Sequence, residues 1–168
     1  MNEPLIEPAT TFEFLERKVY LPGYMALTSG DYNGSRAIFG VQIKEPPVAR
    51  VVNYFTPREL HIAVSQASFA IAEHLISEGR AEDMDIESFR RLVLEGRMRI
   101  VELNQSWRKE VEASRLIQGV FDIRRARNGR MPIVQLDFDF AEGAAYGNLT
   151  AVIARHPVPQ TNADIVRI

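Results

Sequence analysis

Alternation between apolar and polar positions is clearest over Met131 to Phe140. There Val134, Leu136, Phe138 and Phe140 interleave with Gln135, Asp137 and Asp139, the pattern of a strand with one face buried. Ser35 to Ile43 repeats it, with Ala37, Phe39, Val41 and Ile43 on one face. Tyr24 to Gly30 reads as its hairpin partner across Asp31-Tyr32-Asn33-Gly34, because Asn-Gly suits a tight turn. Three further strands are expected at Arg97 to Leu103, at Ser114 to Arg127 (Ile117, Phe121 and Ile123 sharing a face) and at Gly147 to Arg155. Asn128-Gly129 is a second turn signal, and Pro46-Pro47 stops the strand before it.

Between the two strand groups the period changes from two to that of a helix. Thr56-Pro57-Arg58-Glu59 spells a capping box with proline at the first helical position. Leu60, Ala63, Val64, Ala67, Ile71 and Leu75 then form one apolar stripe, and Gly79 suits the stop. Shorter helices are expected over Thr11 to Val19, from the spacing of Phe12, Leu15 and Val19, and over Asp85 to Leu94, ending at Gly96. Residues 1–10 read as an extended lead-in and 156–168 as a tail, so 1–168 is expected to form a single domain. A long apolar-striped helix cannot be covered by loops. The expected fold class is therefore α+β, an antiparallel sheet wrapped around one long central helix.

Composition narrows the chemistry. With 46% apolar and 25% charged residues the chain is ordinary for a folded domain. A net charge of −2 provides no global field for nucleic acid or anionic lipid, so neither is expected as a partner. No apolar run is long enough to span a membrane, and Met-Asn-Glu-Pro lacks the layout of a secretion signal, so a cytoplasmic setting is expected. The absence of cysteine removes thiol nucleophiles, disulfides and thiolate metal sites. His61 and His74 lie thirteen residues apart on the helix. That is ~20 Å along its axis, so they cannot share an ion, and no metal site is expected. Phosphate-binding glycine loops and a nucleophile elbow are also missing. What remains is general acid–base chemistry.

The helix face beside the apolar stripe carries the candidates. Arg58, His61, Ser65, Ser68 and Ala72 project within one quadrant. His61 and Ser65 are an i,i+4 pair able to touch one bound molecule, and a histidine titrating near neutrality can act as proton acceptor. The same residues could instead pack under strands, with His61 bonded to a carbonyl. Glu59 is either a catalytic carboxylate or only the cap of the helix. Gln66 is placed to hold a substrate carbonyl or a loop, and Arg50, Asn53 and Tyr54 enter the helix from the preceding segment. Arg124, Arg125, Arg127 and Arg130 bracket the Asn128-Gly129 turn. They could grip a phosphate or an acidic protein, or form a solvated hairpin tip.

The order of elements, with Phe55, Glu59-Leu60, Ser65-Gln66 and the run from Ser114 to Ile153, resembles the FcoT-like acyl thioesterases of the hotdog superfamily. The resemblance spans most of the chain in order and spacing and is weak in identity. It implies the hotdog fold, a homodimer or larger assembly, and acyl thioester sites at subunit interfaces beside the central helix. Ser65 stands where the family carries an asparagine, Val48 at one of its tyrosine positions, and Tyr24 near another. One branch of the family adds glycine to the β-carbon of an α,β-unsaturated acyl thioester on a carrier protein and then hydrolyses the thioester. By resemblance to that branch, His61, Ser65 and Glu59 are the catalytic candidates, with Gln66, Tyr54, Arg50, Asn53, Arg58, Ser68 and Tyr24 against the substrate. The arginines at the turn would dock the carrier and its phosphopantetheine. No cofactor is implied beyond the phosphopantetheine that carries the substrate. Plain hydrolysis of fatty acyl-CoA or acyl-carrier thioesters, and a non-catalytic dimer that binds acyl-carrier protein, are the alternatives.

Overall fold

A computed structural model describes residues 10–21, 24–43, 54–81, 84–112, 115–127 and 132–154. The elements are α1 (Thr11–Phe14), running into a π-helical turn (Leu15–Val19), β1 (Leu27–Asn33), β2 (Arg36–Val41), α2 (Pro57–Ser77), α3 (Ile86–Leu94), β3 (Met98–Trp107), β4 (Ile117–Arg127), β5 (Ile133–Phe140) and β6 (Ala145–Ile153). The six strands form one antiparallel sheet in the order β1-β2-β4-β5-β6-β3. The expected α+β class and the single long helix against the sheet are both present.

The sheet's inner face comes from the alternating positions. Phe39, Phe121, Phe138 and Phe140 are buried there, with Phe121 meeting Phe39 and Phe140 edge-on at centroid separations of 5.6 Å. Along α2, Leu60, Ala63, Val64, Ala67, Ile71 and Leu75 are buried against it. Each larger side chain contributes about 1.5–3 kcal/mol on leaving water. The alanines keep the helix surface flat and let the sheet close over it. Both α2 and α3 end as the sequence signals. Gly79 and Gly96 take positive φ, and the amides of Arg80 and Arg97 donate back to Leu75 and Leu92 in the Schellman pattern.

Several boundaries differ from the sequence reading. The first helix keeps its α form for one turn only, after which Tyr20 N donates to Leu15 O five residues back. Helical spacing of apolar residues does not separate α from π geometry. β1 starts at Leu27 and continues to Asn33, so the turn falls at Gly34-Ser35. β3 does not end at Leu103. Its ladder with β6 continues to Trp107 opposite Ala145. Residues 1–9, Pro46-Pro47, the Asn128-Gly129 turn and residues 155–168 lie outside the described residues, as do Arg50, Asn53, Val48 and Arg130.

A buried carboxylate that the sequence did not single out ties the helices together. Glu73 on α2 accepts from Thr11 Oγ1 at 2.8 Å and pairs with Arg90 of α3 at 2.7 Å, and Arg90 also lies over the Phe14 ring. Beside it, Tyr32 stacks on His74 with centroids 3.9 Å apart. Burial, then the charge of Glu73, pushes the Tyr32 phenol well above its ordinary value. No helix among the described residues is long and apolar enough to cross a membrane.

Candidate active site

The start of α2 is built by its cap and by the end of β3. Thr56 is extended, and its backbone amide donates to Glu59 Oε2 at 3.1 Å, while its hydroxyl faces the same carboxylate. Glu59 is buried in this capping box. The sequence left Glu59 open between a catalytic and a capping role, and the geometry occupies its carboxylate as a cap. One residue earlier, Phe55 N donates to Val111 O at 2.7 Å, and Tyr54 bridges to Glu112. The Phe55 ring packs on Trp107 at 6.0 Å and on Phe140 at 5.7 Å. Trp107, Val111 and Glu112 thus border the site. They were missed because the strand was read to stop at Leu103.

Burial divides the quadrant drawn on the helical wheel. Arg58 and His61 are exposed, and Ser65 is half-buried. Ser68 and Ala72 are buried. Ser68, expected against a substrate, has its hydroxyl closed off from solvent, where it donates to Ser65 O at 2.7 Å. Gln66 holds the segment that leads into β1. It is fully buried, its Oε1 accepts from Ala26 N and Leu27 N at 2.9 and 3.2 Å, and its Nε2 donates to Tyr24 O at 2.8 Å. That anchors Tyr24, whose side chain stays accessible, as does that of Tyr54. No hydrogen bond joins His61 to Ser65 among the described residues. The accessible groups on and around this helix face are therefore Tyr54, Arg58, His61, Ser65 and Tyr24. They supply a base, a cation and hydroxyls, which suffices for proton transfer and for holding a carboxylate or carbonyl. No group of three His, Asp or Glu able to hold a metal occurs among the described residues.

The turn arginines are partly neutralised. Arg124, exposed, pairs with Asp137 across the β4–β5 ladder, and Arg36 pairs with Asp122 at 2.8 Å. The Arg36 hydrogen bond holds the Asp122 carboxyl below the usual carboxylate range, against a smaller effect of burial. Arg125 and Arg127 are exposed. Arg127 also flanks, with Arg80, an apolar cavity of about 30 Å³ between the last turns of α2 and the sheet.

The sequence matches no protein-family model and no curated protein. Solved structures are similar in fold. A candidate thioesterase from Shewanella oneidensis superposes with a TM-score of 0.58 at 7% identity, covering 86% of this chain and 94% of that one. Cj0977, a sigma28-regulated virulence protein from Campylobacter jejuni, gives 0.55 at 9% identity over 88% and 98%. A thioesterase superfamily protein from Shewanella loihica gives 0.48 at 12% identity over 77% and 90%. At such identities the likeness is one of fold, and the fold of this chain is the hotdog fold seen in thioesterase-superfamily proteins.

Proposed function

We propose that the protein acts on acyl thioesters, adding glycine to the β-carbon of an α,β-unsaturated acyl group on a carrier protein and then hydrolysing the thioester. The observation that carries this reading is the placement of His61. It is an accessible imidazole in the second turn of the central helix, with the exposed Arg58 one turn before it and Ser65 one turn after it. The shared fold with a candidate thioesterase supports the substrate class by analogy.

Glycine at neutral pH is an ammonium carboxylate, and only the free amine is a nucleophile. Arg58 holds the glycine carboxylate, and the neutral imidazole of His61 takes a proton from the ammonium. The amine nitrogen forms a bond to the β-carbon, the double bond shifts to an enolate on the thioester oxygen, and the imidazolium returns a proton to the α-carbon. Water then attacks the thioester carbonyl, the carrier thiolate leaves, and an N-carboxymethyl-3-amino acid is released. Ser65 is positioned to bond the imidazole or the substrate. Arg125 and Arg127 supply positive charge for an acidic carrier. The protein would work as a homodimer or larger assembly. The ten-residue edge strand β3, with Val101 59% exposed, offers a pairing edge for a second copy.

The test is mass spectrometry of a crotonyl-carrier thioester incubated with the enzyme, with and without glycine. The expected product is the glycine adduct of the free acid, formed ~10²-fold more slowly by His61→Ala while the variant stays folded. Release of free crotonate at one rate regardless of glycine would replace this reading with plain thioester hydrolysis. Near-full activity of His61→Ala would remove His61 from the chemistry.

A further inference from the structure

Trp107 is the only tryptophan of the chain and the last residue of β3. Its indole Nε1 is buried and has no hydrogen-bond acceptor among the described residues. Buried donors are nearly always paired, so an unpaired one marks a place open to an acceptor from beyond the described residues. The indole N–H can only donate, which excludes a cation and calls for an oxygen with free lone pairs. The ring packs on Phe55, directly before the Thr56 cap, so this donor stands at the end of α2 that carries His61. The nearby Glu59 carboxylate is held by Thr56 and does not serve as its acceptor. A second buried orphan, Arg97 Nη1, lies at the opposite end of β3 on a guanidinium already paired with Glu95, and offers no comparable donor.

We propose that Trp107 Nε1–H donates a hydrogen bond to the carbonyl oxygen of the bound acyl thioester. The assignment rests on the thioester reading above and adds to it the group that receives the developing charge. Both steps of the reaction place negative charge on that one oxygen, first as the enolate of conjugate addition and then as the tetrahedral oxyanion of hydrolysis. A donor fixed in a site closed to water strengthens as that charge grows.

The single tryptophan makes the test direct, because the ¹⁵N-labelled protein has one indole N–H resonance. Two ligands are compared, a holo acyl-carrier protein alkylated on its phosphopantetheine thiol with either an acetonyl or a propyl group. They differ in one carbonyl. The acetonyl ligand is expected to move the indole proton downfield and slow its exchange with solvent, and the propyl ligand to leave it in place. In parallel, Trp107→Phe is expected to lower kcat ~10²-fold with KM little changed. If both carriers bind and give the same indole shift while crotonyl-carrier is still turned over, the Trp107 assignment fails and the thioester reading stands. If neither carrier perturbs the indole and crotonyl-carrier is not consumed, the thioester reading fails with it.

Discussion

Replacing Gln66 by leucine removes a buried amide and leaves nearly the same volume, so the effect isolates hydrogen bonding from packing. Three bonds are lost, from Ala26 N and Leu27 N to Oε1 and from Nε2 to Tyr24 O. At a net ~1 kcal/mol each, the loss is about 3 kcal/mol. Ala26 and Leu27 are both 3% exposed, so their amides cannot turn to water, and the figure is pushed upward. Tyr24 sits at the surface, and its carbonyl can rehydrate, which pulls the figure back. A domain with ~5–15 kcal/mol of stability survives such a change, and its melting temperature is expected to fall by about 6–12 °C. Urea titration should show a lower midpoint with an unchanged slope. Hydrogen exchange should show the Ala26 and Leu27 amides losing protection while those of β4 and β5 keep theirs. A stability loss below about 0.5 kcal/mol would refute the reasoning, since it would mean that the amide bonds contribute nothing net.

Two further perturbations probe the scaffold. In Gly147→Ala the new Cβ would lie 1.9 Å from the backbone carbonyl oxygen of Asn104 on β3, where no rotamer change relieves it. The expected loss is at least ~1–3 kcal/mol in a urea titration, and an unchanged midpoint would contradict the close β3–β6 approach. Because Arg36 depresses the Asp122 carboxyl in the folded state, its contribution is present above the ordinary carboxylate range and lost as pH falls through the folded value. Melting temperatures of the wild type and Asp122→Asn should therefore differ at neutral pH and converge below about pH 4, with the gap shrinking in salt. A gap that persists unchanged in acid would rule the pair out as its origin.

What could be read in the sequence follows from where the determinants lie. The Thr56–Glu59 box, the Gly79 and Gly96 stops and the alternation of β5 are local patterns, and each appears where the residues put it. The far half of β3 carries Asn104, Gln105 and Ser106 on an exposed edge, where no buried face imposes alternation. Its continuation to Trp107 is set by the ladder with β6 and not by its own side chains. The helical wheel placed Arg58, His61, Ser65 and Ser68 in one quadrant, yet the first two are exposed, Ser65 is half-buried and Ser68 is buried. It could not tell which of them would be roofed, because that depends on chain distant in sequence. Gln66 shows the same limit, since its partners lie about forty residues away. Glu73 likewise gains its meaning only when Thr11 and Arg90 arrive from two other helices.

The strand order has a consequence for the chain as it is made. The β1–β2 hairpin is complete at Val41, but its neighbour in the sheet, β4, begins at Ile117. At ~5–20 residues per second a ribosome needs about 4–15 s to supply the intervening length. Over that interval the apolar face of Ala37, Phe39 and Val41 is paired with β1 on one side only, a nascent surface and edge open to misassociation. Phe12 of α1, made before the hairpin, meets Phe39 edge-on, and α2 is the next element to emerge that packs against both β1 and β2 in the finished fold. The central helix is therefore the main cover added after the hairpin, widening the small patch under Phe12 and shielding the hairpin during synthesis until β4 arrives to take up its edge.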